Sequence, residues 1–429
     1  MFKYLLFTFS FISTTHLFAG EITRTPPDTV GLSPERLARL NPVMQAYIDE
    51  EKLVGIVTLV ARKGKIAHSA AFGKQSLAAG KPMTENTIFR IYSMSKPITS
   101  VAVMMLYEQN KLQLTDPVSK YIPAFKQLMV YVGQTDSGEI QLVKPKREIT
   151  VYDLLTHTSG LTYGFHQGTP VDKFYQESGV GAYQMHAQNR DLAEWIKKLA
   201  KAPLLFQPGE RWHYGVSTDV LGYLVEVVSG MSLEQYLEQE IFAPLGMVDT
   251  GFYVPAKGHE RFAAIYNLKD GRLNEITATS ATRFYKPATF FSGGAGLVST
   301  TRDYLRFCQM MLNDGALDGV RLLGRKSVEL MRINHLSNET LANTVPSFPG
   351  AIGDKGAGFG LGFGVKTGVV ATRRLGSLGE YSWGGAAGTI FWIDPIEKLI
   401  VIGMIQMRPS DFYPLREDMS TLVYQALVD

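Results

Sequence analysis

Ser93 and Lys96 stand three positions apart where a polar stretch turns apolar, in Tyr92-Ser93-Met-Ser-Lys96-Pro97 followed by Ile98-Thr-Ser-Val-Ala-Val-Met-Met-Leu-Tyr107. Pro97 suits the first turn of a helix, where a missing N–H costs little. The spacing then puts both side chains on one helical face, close enough to meet. An ammonium at a helix N-terminus among apolar neighbours is opposed by the dipole and by desolvation, so the Lys96 pKa is expected to fall. A neutral amine beside a hydroxyl is a general base beside a nucleophile. Alone, the four residues fit a capping serine and a solvated lysine better.

Three further segments carry side chains or backbone that such chemistry needs. Pro208-Gly-Glu-Arg-Trp212-His-Tyr214 precedes an apolar helix, and a tyrosine on such a loop can present its phenol to a cleft and move protons. The plainer reading is a half-buried aromatic with a satisfied hydroxyl. Trp383-Gly384-Gly385-Ala386-Ala-Gly388 runs directly into a strand; consecutive glycines let a ligand approach the backbone, whose N–H groups could hold an oxyanion. A packing bulge is the alternative. Leu154-Leu-Thr-His157-Thr-Ser-Gly160-Leu161 offers a histidine, but local bonding within its turn is the better reading than a Ser-His pair.

Positioning these groups takes a sizeable scaffold, and 429 residues can bury a large core. Hydrophobic content of 45%, charged content of 19% and a net charge of +3 are ordinary for a globular chain and give no sign of nucleic-acid binding. Leu32–Glu51 reads as a helix opened by Ser33-Pro34-Glu35. Gly55–Ala61 and Ile66–Phe72 form a hairpin across Arg62-Lys-Gly-Lys65. Helical periodicity dominates from about 100 to 285, while 165–189 is irregular and suited to a loop over the site. Ser292–Ser299 is a Gly-rich strand or turn, and strands return at Gly360–Val365, Gly388–Ile393 and Leu399–Ile405, with Asp394-Pro395 as a turn. The expected fold class is α/β (α+β): an antiparallel sheet flanked by helices, with an inserted mainly helical domain. The sheet domain takes 21–100 and 286–429, the helical domain 101–285.

At the N-terminus, Met1-Phe-Lys3, the apolar Tyr4–Phe18 and the small Ala19-Gly20 resemble a signal peptide, residues 1–20, cleaved near Ala19 or Gly20. Export to a periplasm or the exterior is expected, with no stable membrane span. The one cysteine, Cys308, excludes an internal disulfide and reads as a buried helical thiol. The eight histidines show no metal-ligand spacing, so no metal or cofactor is expected. No G-x-S-x-G elbow occurs.

Ser93-x-x-Lys96, Leu-Leu-Thr-His-Thr-Ser-Gly-Leu, Pro-Gly-x-x-Trp-x-Tyr214 and Trp383-Gly-Gly-Ala-Ala-Gly-Thr occur in that order. Together they resemble the serine β-lactamase-like hydrolases: class C β-lactamases, DD-peptidases and family VIII esterases. The match runs from about residue 30 to 425. The resemblance implies Ser93 as acylated nucleophile, Lys96 as base, Tyr214 as proton shuttle, and an oxyanion hole from the Ser93 and Ala386 N–H groups. Trp383, Gly384 and Gly385 would line the substrate.

Two departures bear on the substrate. The family's Tyr-x-Asn is here Tyr214-Gly-Val216, with Ser217 adjacent but out of register. Its Lys-Thr-Gly becomes Trp383-Gly-Gly; Lys366-Thr-Gly368 repeats the motif in the wrong place, at the end of an earlier strand. Losing a charge-assisted hydrogen bond of about 1.5–3 kcal/mol weakens recognition of anionic acyl substrates roughly tenfold or more. A secreted carboxylesterase acting on neutral esters is therefore expected. A β-lactamase or D-amino-acid peptidase, and a penicillin-binding-like sensor without turnover, are the alternatives. The partner is a small ester or amide.

Overall fold

The structure is a computed structural model that describes residues 20–165, 168–182, 185–188, 190–344, 356–410 and 412–429. The expected leader, apart from Gly20, lies outside the described residues. Eight strands make one antiparallel sheet: β1 (Gly55–Arg62), β2 (Lys65–Ser76), β3 (Lys81–Pro82), β4 (Ala357–Phe359), β5 (Gly364–Lys366), β6 (Tyr381–Gly384), β7 (Ile390–Asp394) and β8 (Leu399–Met404). Their order is β4-β5-β6-β7-β8-β1-β2-β3, so strands from both ends of the chain meet where β8 pairs with β1, from Val57 opposite Met404 to Arg62 opposite Leu399.

Local sequence explains the hairpins. Lys63 and Gly64 take φ of 52° and 78°, the left-handed pair that a two-residue hairpin turn requires. The Asp394 carboxylate accepts from the N–H groups of Ile396 (3.0 Å) and Glu397 (3.1 Å), which closes the β7–β8 turn. Every residue of β1 and β8 is buried, so both read as continuous apolar runs. Ile56 and Val60 face one core, against α1 (Leu40–Asp49) and the C-terminal helix; Val57 and Leu59 face the other.

On that second face lies α2 (Ser95–Glu108), with Ile98, Val101, Ala102, Met104 and Leu106 fully buried. Each such aliphatic side chain contributes about 1.5–3 kcal/mol, so the helix that carries Lys96 is firmly seated. α3 (Ser217–Ser229) packs on α2, and α4 (Thr301–Leu312) packs under the sheet. Cys308 is fully buried in α4, and burial pushes its thiol pKa well up; it is an inert packing residue. Helix α5 (Leu415–Tyr424) closes the chain. Among the described residues no helix is long and apolar enough to cross a membrane.

Several expectations need correction. The helix expected over Leu32–Glu51 is two, Pro34–Ala38 and α1, the first capped by the Ser33 hydroxyl. Ser292–Ser299 takes the turn form of the two expected, except that Val298–Ser299 is strand, paired with Phe89–Arg90. Gly360–Val365 is the turn and second arm of the β4–β5 hairpin, because Gly362 adopts φ +94° and reverses the chain. Among the described residues of the 165–189 stretch are two helices, Pro170–Glu177 and Met185–Gln188, the first fixed by a Thr169–Asp172 capping box that its Gly- and Gln-rich surroundings obscure. Two hairpins, Val130–Val143 and Tyr266–Glu275, interrupt the helices between 101 and 285.

Candidate active site

Ser93 sits in a 3₁₀ turn, Tyr92–Met94, that runs straight into α2. Tyr92 holds φ +40°, a conformation costly for a non-glycine residue, and it turns Ser93 outward at the mouth of the helix. The turn is pinned by Met94 N–H to Ile91 O (2.9 Å) and Ile91 N–H to Leu297 O (3.1 Å). Ser93 is half-buried while Tyr92, Met94, Ser95 and Lys96 are all buried. Ser95 is fully enclosed, and its hydroxyl accepts the Leu297 N–H (3.1 Å). The accessible serine is therefore Ser93.

Lys96 Nζ donates toward three oxygens: Ser93 Oγ at 3.4 Å, Tyr163 OH at 2.7 Å and the Gly294 carbonyl at 2.8 Å. It also lies 4.6 Å from the centre of the Tyr214 ring. Burial, then the neighbouring Tyr214 and Asp219, push the Tyr163 pKa well up, so this phenol stays protonated and can donate. The two tyrosine rings meet edge-to-face at 5.2 Å. Trp383 Nε1 donates to Tyr214 OH at 3.3 Å. Lys96, beside Ser93, is thus bonded to one phenol and lies against the ring of the other.

Tyr163 was not among the residues singled out from sequence. It lies two positions past Thr-Ser-Gly160-Leu161, a segment in which only His157 drew attention. The structure separates the two clearly. His157 has φ +55°, its ring packs 5.1 Å from Tyr214 and 5.5 Å from Phe359, and its Nε2 reaches Thr218 Oγ1 at 3.5 Å. Burial, then Lys96, lower its pKa well below the usual value and keep it neutral. It is a wall behind Tyr214. Ser217 is likewise no substitute for the missing amide: it is fully buried and bonded to Ser159 Oγ (2.9 Å). Lys366 is buried too, held by the Leu375 carbonyl (2.7 Å) and Glu380 (3.1 Å), while Trp383 stands on β6 beside Tyr214. The Trp383 N–H also fixes the Tyr214 oxygen.

Behind Lys96, Asp219 on α3 accepts from Ser292 Oγ (2.5 Å) and Gly294 N–H (3.1 Å). It fixes the turn whose carbonyl receives Lys96.

The end of β6 closes over the serine. Gly385 N–H bonds Thr389 O (2.7 Å), and Ala386 is exposed on the turn that follows. A Cβ on Gly385 would collide with the Ile91 carbonyl oxygen and with Thr389 Oγ1, so glycine alone lets this turn approach the Ser93 segment. Ser93, Tyr214, Trp383, Gly384, Gly385 and Ala386 line one cleft of about 1040 Å³. Gly385→Ala is expected to cost about 1–3 kcal/mol through overpacking. Displacing the Ala386 donor should lower kcat tenfold or more, against the roughly 10²–10³ of a lost donor. Thermal melting and steady-state kinetics on an aryl ester check both.

An antiparallel sheet flanked by helices, with a Ser-x-x-Lys pair at the helix mouth facing a glycine-rich turn at the end of a strand, defines the serine β-lactamase-like class of hydrolases. The Beta-lactamase family model matches residues 40–424, and the chain belongs to that family. It is 33% identical over 385 residues to "Esterase EstB" of Burkholderia gladioli, covering 85% of this chain and 89% of that protein. It is 27% identical over 416 residues to a "Putative D-alanyl-D-alanine carboxypeptidase" of Escherichia coli K12, covering 90% and 86%. The solved structure of "EstCE1, a hydrolase with promiscuous acyltransferase activity" superposes with a TM-score of 0.77 at 28% identity, over 91% of this chain and 99% of that one.

Proposed function

We propose that this hydrolase is an exported carboxylesterase working through a Ser93 acyl-enzyme. The observation that carries the reading is the accessible Ser93 hydroxyl beside a buried Lys96 that is bonded to Tyr163 and lies against the ring of Tyr214. Ser93 Oγ attacks the ester carbonyl, its proton passing to Lys96. The oxyanion rests on the Ser93 and Ala386 N–H groups. The C–O bond to the alcohol then breaks, and Tyr214 delivers a proton to the leaving alkoxide. Water next attacks the acyl-serine with its proton drawn to the same groups, and the carboxylic acid leaves as Oγ is reprotonated. Likeness to EstB supports ester chemistry, as does Trp383 where a penicillin-recognising lysine would stand. The Met1–Gly20 composition supports export.

The carboxypeptidase-like relatives favour a second reading, hydrolysis of β-lactams or D-amino-acid amides. Rates on 4-nitrophenyl butyrate, nitrocefin and a D-Ala-D-Ala peptide separate the two. The ester is expected to have the highest kcat/KM, by tenfold or more; a cephalosporin or peptide preference would overturn the esterase reading.

A further inference from the structure

The cleft that starts at Ser93 continues past the Ala386 turn to a wall rich in cations: Lys366, Arg374, Arg408 and Arg416. Two of these are neutralised, Lys366 by Glu380 (3.1 Å) and Arg374 by Glu417 (3.4 Å). Arg408 is different. Half-buried on the cleft wall, it has no side-chain hydrogen bond or ion pair with any described residue, and its guanidinium lies over the face of Tyr92, 5.3 Å from the ring centre. Its backbone position is fixed beside the oxyanion turn: Met407 N–H bonds Ala387 O (3.0 Å), and Arg408 N–H bonds Tyr266 O (2.8 Å). Arg408 thus stands next to the residues that would hold the acyl carbonyl, and Tyr92 joins it to the nucleophile's turn.

A half-desolvated cation with no counter-charge among the described residues, in a concave site, concentrates anions there and binds a carboxylate bidentately. We propose that Arg408 is a specificity residue, and that the cleft favours esters bearing a carboxylate at the far end of the acyl chain, such as half-esters of dicarboxylic acids. This rests on the esterase reading and amends its expectation of neutral substrates. The cation lost at Trp383 is replaced by one on another wall of the cleft. Arg416, against Trp392 at 5.7 Å on the same cleft, is the rival cation.

The test compares 4-nitrophenyl hexanoate with the 4-nitrophenyl half-ester of adipic acid, which has the same chain length and a terminal carboxylate. At low salt the enzyme is expected to prefer the adipate half-ester in kcat/KM by about tenfold or more, with the preference shrinking as salt rises. Arg408→Gln should bring the ratio to about one, and Arg408→Lys should restore part of it. Equal rates on both esters, or a preference that survives Arg408→Gln and disappears in Arg416→Gln, overturns the assignment. Failure to hydrolyse the hexanoate would instead bring down the esterase reading itself.

Discussion

Ser93→Ala is expected to cut kcat on 4-nitrophenyl butyrate by at least about 10⁴-fold, the scale set by loss of a nucleophilic serine, while leaving the protein folded. The second half of that expectation follows from the contacts. The Ser93 side chain is half-exposed, and among the described residues its one hydrogen bond is the 3.4 Å approach of Lys96. The strained turn around it is held by backbone bonds from Ile91 and Met94, which the substitution leaves in place. A stability change within about 0.5 kcal/mol is therefore expected. Ser95→Ala supplies the opposite pattern. Its hydroxyl holds the Leu297 N–H, so that variant should lose about 1–3 kcal/mol by orphaning a buried donor and keep its chemistry. Kinetics and melting temperatures on the two variants check the pair; most activity surviving in Ser93→Ala contradicts the mechanism.

Lys96→Met carries the next largest effect. Methionine matches the shape of the lysine stem, so the packing of α2 is retained. Tyr163 OH and Gly294 O lose their shared donor, at 2.7 and 2.8 Å, and being buried they find no water in exchange. About 1–3 kcal/mol of stability should go. Removing the base should lower kcat by roughly 10²–10⁴, with KM moving much less because Lys96 is buried behind Ser93 and Tyr214. A KM rise with kcat preserved would mean that Lys96 binds substrate and does not move protons.

The part of the site legible in sequence is the part that places special demands on a short run of chain. Ser-x-x-Lys shows because a nucleophile must stand one turn from its base. Trp383-Gly-Gly-Ala386 shows because Gly385 must pass within contact of Ile91. Tyr214 shows because it follows Pro-Gly and precedes a helix. Tyr163 and Asp219 carry no such local mark. Both act by reaching Lys96 or its carbonyl partner across more than sixty residues of chain, which residue spacing cannot encode. The sheet was legible where β1 and β8 are buried on both faces and so are apolar throughout. The short strands at its β4–β5 edge were not, because three-residue strands around a glycine turn leave no periodicity to read.

The central claim is a covalent acyl group on Ser93, and rapid-quench mass spectrometry with a slowly deacylating aryl ester reads it directly. One acyl group is expected to add to the intact chain, to map to the peptide containing Ser93 rather than Ser95, and to be absent in Ser93→Ala. An unmodified chain during turnover, or an acyl group on any other residue, would contradict the account.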